Sequence, residues 1–404
     1  MSDTYYNPDV SDATPLPAAG SLPRNLLYSI AADIGGIGLP TTAAEGTLAA
    51  YRGGFLGKAI GYRNGQSEIP QSKIKSLALH PVRLLANMDR ETYYGARKQY
   101  LDWVTARELQ RNPGRYDCFH GWSSDSLRTL IVARQLGVPT LIEIPTWHRN
   151  KFRRKTFYTK SERDGADHWK SRLHISRQQM LTEYRLASLI LVQSTMAAES
   201  FLAEGVDPHR IFVVARGVDP EKFRPATPPP IFRLIFVGAL IKRKGIHHLL
   251  KAWHSLKLKD AELILVGTVH KEIEPYLKEY KTDSVKLPGF VPNVREKLES
   301  ASAFVFTSEC EGSAKATYEA AACALPQITT RESGDVVVDG VNGVVIPAND
   351  PDALAEAIRH FHANPEILPA MAAAARARIL ERFTWEHHRR RLLRAYATAM
   401  GIKR

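Results

Sequence analysis

The chain has 404 residues, of which 44% are hydrophobic and 24% are charged. These fractions are typical of a folded globular protein, and they exclude a disordered, collagen-like or coiled-coil chain. The 55 lysines and arginines exceed the 42 aspartates and glutamates by 13. A chain this basic could bind nucleic acid, an anionic membrane surface or a phosphorylated small molecule.

Three further features indicate where the protein works. Its three cysteines, Cys118, Cys310 and Cys323, are too few for a disulfide framework and fit no zinc pattern. The first residues lack the basic and apolar parts of a secretion signal, and no run reaches the roughly 18 apolar residues of a spanning helix. We therefore expect a protein of the reducing cytoplasm.

In the first half of the chain, the elements become clearer toward the middle. Residues 1–22 are polar and contain several prolines, which predicts a flexible N-terminal arm. The run Leu26–Ile30 predicts a first buried strand, and Gly35 and Gly36 follow it. The mixed, basic stretch from about 48 to 111 indicates helix and loop. Beyond it, short apolar strands alternate with helices, and the strands are predicted at 118–120, 140–144, 189–192 and 211–214.

A stiff connector then divides the chain. Pro225, Pro228, Pro229 and Pro230 lie within six residues, which favours an extended linker and excludes a helix or a central strand. Apolar strands alternate regularly with helices after it. The strands are predicted at 233–237, 262–266, 303–307, 326–330 and 343–346, and the helices at 246–255, 271–280, 293–300, 314–323 and 351–363.

This alternation predicts an α/β protein with parallel sheets that are covered by helices on both faces. Both halves therefore indicate doubly wound, Rossmann-like domains. We place the first domain at 23–222, the linker at 223–230 and the second domain at 231–385. Ligands of such sheets bind beyond the carboxyl ends of the strands, so residues that follow strands are the candidates for chemistry.

Two glutamates follow the strand predicted at 303–307. Glu311 and Glu319 are eight residues apart, and a helix beginning near Gly312 would offer its free N–H groups and its positive dipole end to an anion. Glu319, two turns into this alanine-rich helix, could accept hydrogen bonds from a ribose diol. The alternative is that both glutamates only solvate the helix end.

A second candidate anion site follows the strand predicted at 233–237. After Gly238, the cations Lys242, Arg243 and Lys244 precede the next helix. Three positive charges at a strand-to-helix turn suit a diphosphate, although a solvated basic loop is the simpler explanation of the segment alone. The segment is not a Walker loop, because the Gly-x4-Gly-Lys-Ser/Thr spacing is absent.

Taken together, these motifs resemble the family-4 retaining glycosyltransferases of the GT-B fold. The segment 236–245 looks like the phosphate loop of that family, and Glu311 with Glu319 matches its Glu-x7-Glu signature. The turns at Gly267 and at 287–291 look like its nucleotide-lining turns. The resemblance spans roughly residues 115–400. It implies two domains facing a central cleft, with the last helix, 386–404, packing back on the first domain.

The resemblance also implies roles for residues of the second half. Glu319 would hold the ribose, Glu311 would contact the donor sugar, and Lys244 would bind the diphosphate. One position departs from the family, because its usual arginine after the glycine is Ala239 here; Lys242 or Arg243 could replace it, or the donor could be held differently. The donor-binding residues implied are Gly36, Gly238, Lys242, Arg243, Lys244, Gly267, Pro288, Gly289, Phe290, Glu311, Gly312, Ser313, Ala314, Lys315 and Glu319.

In the first half, the resemblance implies candidates at strand ends. We expect His148 to join Glu311 and Lys244 as a catalytic group that touches the donor sugar, although the directly equivalent position is Pro145. A turn glycine or a buried structural histidine is the alternative for such residues. The acceptor-side candidates are Gly35, His120, Trp122, Trp147, Arg149 and Arg216.

The segment 149–172 is a basic stretch that the donor does not explain. It holds nine lysines and arginines against three acids, interleaved with aromatic residues. This composition could indicate an anionic acceptor, an anionic membrane surface, nucleic acid or a solvated helix face. Since no DNA- or RNA-binding signature is present, nucleic acid is the least favoured partner.

The sequence therefore predicts a glycosyltransferase of polysaccharide or glycolipid synthesis that uses a UDP- or GDP-linked sugar and a saccharide, lipid-linked or other hydroxyl acceptor. The resemblance implies retention of configuration. Cations and helix ends would stabilise the diphosphate leaving group, so we expect no metal and no cofactor. Two alternatives stay open: a non-catalytic nucleotide- or polyanion-binding GT-B module, and another GT-B enzyme such as a sugar-nucleotide epimerase.

Overall fold

The computed structural model describes residues 15–36, 38–150 and 173–402. The first 14 residues of the expected arm and residues 151–172 of the basic segment lie outside the described residues. The chain divides into two compact units. Unit 1 comprises the described residues up to Val192, Ala198–Val214 and those from Arg389 onward; unit 2 comprises Gln193–Ala197 and Ala215–His388.

Unit 1 is built on a parallel sheet with the strand order β3-β2-β1-β4-β5-β6-β7. Its strands are β1 (Leu26–Ser29), β2 (Leu56–Gly61), β3 (Ile74–Ser76), β4 (Cys118–Trp122), β5 (Thr140–Glu143), β6 (Leu189–Val192) and β7 (Ile211–Val213). The helices between them are α1 (Leu39–Arg52), α2 (Arg90–Arg111), α3 (Leu127–Gln135), α4 (Arg177–Leu186) and α5 (Thr195–Leu202).

Unit 2 contains a second parallel sheet, with the strand order β10-β9-β8-β11-β12-β13. Its strands are β8 (Phe232–Val237), β9 (Ala261–Val266), β10 (Val285–Gly289), β11 (Ala303–Phe306), β12 (Gln327–Thr330) and β13 (Gly343–Ile346). Its helices are α6 (Ile246–Leu256), α7 (Glu274–Tyr280), α8 (Arg295–Glu299), α9 (Lys315–Ala322), α10 (Pro351–Ala363) and α11 (Leu368–Arg382), and the last helix of the chain is α12 (Trp385–Gly401).

The two doubly wound parallel sheets confirm the predicted α/β fold class. Burial explains why short apolar runs predicted these strands. Every residue of β1, β4, β5 and β6 is buried, as expected for strands that are covered on both faces. The expectation of helix and loop for 48–111 was wrong for β2 and β3, which lie in this stretch but have no continuous apolar run. The strand β10 was not predicted either. It lies at the edge of its sheet, its burial alternates, and it contains Pro288 and Gly289, so it lacks the apolar run that marks a central strand.

The last helix contributes side chains to the core of unit 1. Leu392, Ala395, Tyr396 and Ala399 are buried in it at helical spacing. The Tyr396 ring meets the Phe55 ring edge-on, with 5.3 Å between the ring centres. Among the helices that the structure describes, none is long and apolar enough to cross a membrane.

Candidate functional site

The carboxyl edge of the second sheet is lined by glycine at three neighbouring strand ends. Gly238 follows β8, Gly267 follows β9, and Gly289 ends β10. The N–H of Gly238 donates to the Val266 carbonyl and the N–H of Gly267 to the Gly289 carbonyl, both at 2.9 Å. At Gly267 a methyl group would overlap the Gly238 carbonyl oxygen. Glycine at 267 is therefore needed for the close approach of the turns after β8 and β9.

The three cations after β8 point to different places. The N–H of Lys242 donates to Glu272 Oε1 at 3.0 Å, and the Lys242 ammonium lies 5.0 Å from the centre of the Tyr276 ring. The Lys244 ammonium instead turns back to the end of β8, where a methyl group on Gly238 would lie only 3.0 Å from it. Lys242 is thus separated from the strand ends, and Lys244 is placed at them.

Glu311 forms ion pairs with two of these cations, Arg243 and Lys244. Its Oε1 lies 2.8 Å from Arg243 Nη1 and 3.7 Å from Lys244 Nζ. The Ser308 hydroxyl donates to the same oxygen at 3.2 Å, while Arg243 also donates to the Cys310 carbonyl. Among the described residues, no hydrogen bond or ion pair reaches Glu311 Oε2, so this oxygen can accept from a ligand.

Burial shapes the charge of Lys244. Its side chain is mostly enclosed, which lowers the pKa of the ammonium, while the nearby Glu311 carboxylate partly opposes that shift. The negative charge of a bound diphosphate would stabilise the charged form of this buried ammonium. Lys244 and Arg243 together place two positive charges on one carboxylate at the strand ends, which leaves one positive charge in excess.

Two helices begin beside these side chains without a capping side chain. The N-cap of α6 is Gly245 and that of α9 is Ala314, and neither offers a side-chain acceptor to the first N–H groups. A methyl group on Gly245 would overlap the Thr307 carbonyl, so α6 starts directly against the end of β11. The positive ends of two helix dipoles follow adjacent strands here.

The helix after β11 starts at Lys315, one residue after the start of the predicted helix 314–323 and three residues after the start near Gly312 that was considered for the anion site. The preceding loop is held in extended form because the Ala314 N–H donates to the Ser333 carbonyl at 2.9 Å, and the Glu311 N–H donates to the Glu332 carbonyl at 3.1 Å. Ser313 belongs to the same loop, and its hydroxyl lies 2.7 Å from the Tyr318 hydroxyl. The predicted loop residues Gly312 to Ala314 are thus fixed by the loop after β12.

Glu319 lies in the second turn of α9 and is 4% exposed. Its carboxylate pairs with the Lys315 ammonium, one helical turn earlier. At the opposite end of the predicted site, Pro288 is exposed and Phe290 is 70% exposed after the edge strand β10. The structure therefore gathers the predicted donor-binding residues of unit 2 at the end of β10, on the loops that follow β8, β9, β10 and β11 and at the start of α9, except that the Lys242 side chain lies apart over Tyr276. Gly36 belongs to unit 1.

Sequence reasoning missed three supporting positions. The Phe306 ring lies beneath the Lys244 ammonium, 4.9 Å from ring centre to Nζ. The Ser333 hydroxyl donates to the Phe306 carbonyl at 2.9 Å, and a methyl group on Gly334 would lie 2.6 Å from Ser313 Oγ. The available signal was the polar run 329–334 directly after the predicted strand at 326–330.

The glycines after β1 have different surroundings. A methyl group on Gly35 would lie 2.7 Å from the Gly65 carbonyl carbon, so glycine is needed here for the close approach of two loops. Gly36 also has a positive φ, 126°, but a methyl group there would meet only Pro40 at 3.6 Å. The fold therefore explains why glycine is needed at position 35, whereas there is room for a side chain at position 36.

Two acceptor-side candidates differ from expectation because β4 extends to Trp122, beyond its predicted end at residue 120. His120 and Trp122 therefore lie inside the strand, and both side chains are buried. His120 Nδ1 lies 2.7 Å from the Tyr396 hydroxyl, and Trp122 Nε1 donates to the Tyr28 hydroxyl at 2.8 Å. Both side chains pack within unit 1, and their acceptor role stays a prediction.

His148 is also enclosed. Its ring meets Phe201 edge-on at 4.8 Å and lies 5.1 Å from the Tyr184 ring. Its neighbours Trp147 and Arg149 are half-buried, and the buried Arg216 belongs to unit 2. A catalytic role for His148 stays a prediction, but the structure gives its side chain a packing role within unit 1.

The loop after β4 contains a feature that the sequence did not reveal. Glu183 is buried and accepts from the N–H groups of Ser124 at 2.6 Å and Ser126 at 3.2 Å. Asp125 is also buried and accepts from the Ala31 N–H at 2.9 Å. Burial raises the pKa of Glu183 to about 8 and that of Asp125 to about 7.

The fold of this chain matches solved structures over almost its whole length. Sucrose-phosphate synthase from Thermosynechococcus elongatus aligns with a TM-score of 0.67 at 18% identity, over 91% of this chain and 96% of that chain. Anabaena HepE in complex with UDP-glucose aligns with a TM-score of 0.64 at 16% identity, over 92% and 98%. The fold is that of the GT-B glycosyltransferases, with two Rossmann-like domains.

The second unit carries the match to a protein family. Residues 231–364 match the family model of the group 1 glycosyl transferases. This range contains the cations at 242–244 as well as Glu311 and Glu319, so the site described above lies within the matched region. The model supports the group 1 glycosyltransferases as the family to which this chain is related.

Curated relatives agree with this family. Alpha-maltose-1-phosphate synthase of Mycolicibacterium smegmatis is 29% identical over 223 residues, 47% of this chain and 57% of the relative. D-inositol 3-phosphate glycosyltransferase 1 of Catenulispora acidiphila is 28% identical over 346 residues, 78% of this chain and 80% of the relative. The match thus spans less than two thirds of the length of the first relative.

Proposed function

We propose that this protein transfers a sugar from a nucleotide diphosphate sugar to a hydroxyl group of a saccharide, lipid-linked or other acceptor. The observation that carries the proposal is the gathering of Lys244, Arg243 and Glu311 beside two uncapped helix starts at adjacent strand ends. Such a group of donors can stabilise the charge that develops on a departing diphosphate. The UDP-glucose bound to HepE supports UDP as the first donor to test.

In this proposal each side chain of the site has a distinct task. Lys244 and the starts of α6 and α9 bind the diphosphate, and Glu319 accepts hydrogen bonds from the ribose hydroxyls. Glu311 uses Oε2 for a hydroxyl of the donor sugar, because its Oε1 is already engaged by three donors. No step requires a metal, since the protein's own cations and dipoles face the leaving group.

The structure also favours one of the two candidate replacements for the missing phosphate arginine at Ala239. Arg243 lies beside Lys244 through their shared contact with Glu311, whereas Lys242 lies over Tyr276. We therefore assign the second phosphate cation to Arg243. Retention of configuration is the outcome that the resemblance implies, with the acceptor attacking from the side that the diphosphate leaves.

The donor site is tested by calorimetric titration with UDP and GDP. We expect saturable binding of one nucleotide without added metal, and a loss of about tenfold or more in affinity for Glu319→Ala, because a charged acceptor is removed from the ribose. Glu356→Ala is the matched control, since Glu356 is exposed on α10 and pairs only locally with Arg359. Equal affinity in the Glu319 and Glu356 variants would contradict the assignment of Glu319 to the ribose hydroxyls.

A second pair of variants tests the cation assignment. Arg243→Ala should weaken diphosphate binding by about tenfold, as expected for the loss of a charge-assisted contact. Lys242→Ala should change it by about twofold at most. The reverse order of effects would assign the second cation to Lys242.

Turnover separates a transferase from the alternatives. With a labelled sugar nucleotide and a panel of hydroxyl acceptors, a transferase releases nucleoside diphosphate and incorporates label into the acceptor. An epimerase converts the sugar while the acceptor stays unlabelled, and a binding module leaves the nucleotide sugar unchanged. The anomeric configuration of the product, measured by NMR, then decides between retention and inversion.

A further inference from the structure

The two most exposed large hydrophobic side chains among the described residues lie in one short segment of unit 1. Leu79 is 88% exposed and Leu84 is 89% exposed. They belong to the connection from β3 to α2, which contains a short 3-10 helix at Pro81–Leu85. We call residues 77–90 the leucine loop. One exposed leucine is ordinary on a protein surface, but two on one loop form an apolar projection that the fold itself does not use.

The leucine loop rests on a framework of aromatic rings. The His80 ring is buried and lies 4.8 Å from the Tyr62 ring, which it meets edge-on. On its other side it lies 6.2 Å from the Tyr100 ring of α2, and Tyr100 stacks on Trp103 at 6.0 Å. Trp103 is itself 40% exposed. The two leucines thus project from a loop that His80 anchors on the rings of Tyr62 and Tyr100.

Positive charge surrounds the leucines. From residue 73 to residue 90 the chain has four cations, Lys73, Lys75, Arg83 and Arg90, and one acid, Asp89. The Asp89 carboxylate caps α2 by accepting from the Thr92 N–H at 3.0 Å. Arg83 and Arg90 are exposed and form no ion pair with any described residue. Lys73 and Lys75 precede the loop and have partners, since Lys73 donates to the Leu56 carbonyl at 2.6 Å and Lys75 lies 3.5 Å from Glu108 Oε2. The loop itself therefore combines apolar tips with the two positive charges of Arg83 and Arg90.

We propose that the leucine loop docks this protein on an anionic lipid bilayer. Leu79 and Leu84 enter the boundary between headgroups and acyl chains, while Arg83 and Arg90 contact the anionic headgroups. A second copy of the chain fits this surface poorly, because it would bring the same cations face to face. A nucleic acid would use the cations but would have no apolar surface for the two leucines. The proposal does not depend on the donor site, which lies in unit 2.

The test is cosedimentation of the full chain with vesicles of neutral phosphatidylcholine and with vesicles containing about a third phosphatidylglycerol. We expect binding to the anionic vesicles alone, weakened by salt. Leu79→Ser with Leu84→Ser should lower the partition coefficient by about tenfold or more at unchanged charge. Arg83→Gln with Arg90→Gln should lower it by about twentyfold and reduce its salt dependence.

Matched controls lie in unit 2. Leu380→Ser removes a leucine that is 45% exposed on α11, and Lys271→Gln with Lys278→Gln removes two exposed cations; both should leave vesicle binding within about twofold. Unchanged binding in the loop variants, or equal binding to neutral vesicles, would overturn the proposal. Self-association that is lost in the leucine variant would assign the loop to a second copy and overturn it as well. UDP affinity, measured in parallel, should be the same in all variants.

A site-specific label gives an independent measurement. Cys118, Cys310 and Cys323 are all buried, so Leu84→Cys can be labelled selectively with an environment-sensitive fluorophore. Its emission should shift to the blue with anionic vesicles, whereas the same label at Leu380→Cys should not respond. A label at position 84 that stays in a water-like environment on vesicle-bound protein would exclude insertion of the loop.

Discussion

The carboxyl edges of the two sheets are built from opposite kinds of chemistry. In unit 2 the edge carries bare glycine backbone at three strand ends, followed by cations and two uncapped helices. In unit 1 the loop after β4 is held by two buried acidic side chains. Glu183 accepts from N–H groups of this loop, and Asp125, which belongs to the loop, accepts from the Ala31 N–H. One edge carries cations beside uncapped helix starts, and the other is held in shape by groups that solvent does not reach.

This difference shows why a shared fold does not give two equivalent sites. Both sheets place loops at the same edge, as parallel topology requires. The side chains in those loops decide whether the edge is open and positive or closed and internally bonded. Each of the following predictions disturbs one of these two edges.

The largest effect is expected at the glycine edge of unit 2. Gly267→Ala puts a methyl group into the Gly238 carbonyl at a φ of 147°, and overlap plus backbone strain should cost about 4 kcal/mol of unfolding free energy. Gly289→Ala is the control, because its φ is also positive, 76°, but its surroundings are open; about 1 kcal/mol is expected. Urea denaturation measures both, and equal losses would contradict the close-approach argument.

The contrast between the edges also explains what the sequence could and could not predict. The strands of unit 2 other than β10, the glycine after β8 and the positions of the cations and glutamates after strands follow from local patterns of apolar runs, glycine and charge. The direction of a side chain does not follow from such patterns. Trp122 was expected just beyond a strand that ends at His120, but β4 continues to Trp122, and a strand covered on both faces encloses its side chains on either side.

Long-range contacts account for the remaining differences. The start of α9 shifts to Lys315 because the loop after β12 holds Ala314 in extended form through the Ser333 carbonyl. Glu183 lies on α4 but bonds to Ser124 and Ser126, about sixty positions earlier. No window of neighbouring residues contains such information, so these features appear only in the folded chain.

The buried carboxylates of unit 1 should give the stability of the protein a distinct pH dependence. Burial raises the pKa of Glu183 from 4.5 to about 8, so the folded state binds a proton that the unfolded state has released between these pH values. The stabilisation is complete below the unfolded pKa and is lost as the pH rises toward the folded one, by up to about 1.4 kcal/mol per pH unit.

Glu183→Gln removes this titration. Between pH 5 and pH 8 the unfolding free energy of the variant should fall by about 3.5 kcal/mol less than that of the unchanged protein, as measured by urea denaturation at each pH. Glu356→Gln changes an exposed glutamate of α10 and should leave the profile parallel to that of the unchanged protein. Parallel profiles for both variants would mean that Glu183 is ionised in the folded protein throughout this range.

The smallest effect is expected at His148, where packing and catalysis make different predictions. His148→Phe keeps the ring between Phe201 and Tyr184 and removes the nitrogens. Because the ring shape is kept but Nδ1 no longer accepts from the Asn150 N–H at 3.3 Å, we expect a loss of about 1 kcal/mol of unfolding free energy and a transfer rate within about threefold. A catalytic histidine would instead cost about 100-fold or more in turnover with little change in stability. That result would show that the imidazole reaches the donor sugar in the working enzyme, and it would place a residue of unit 1 in the donor site.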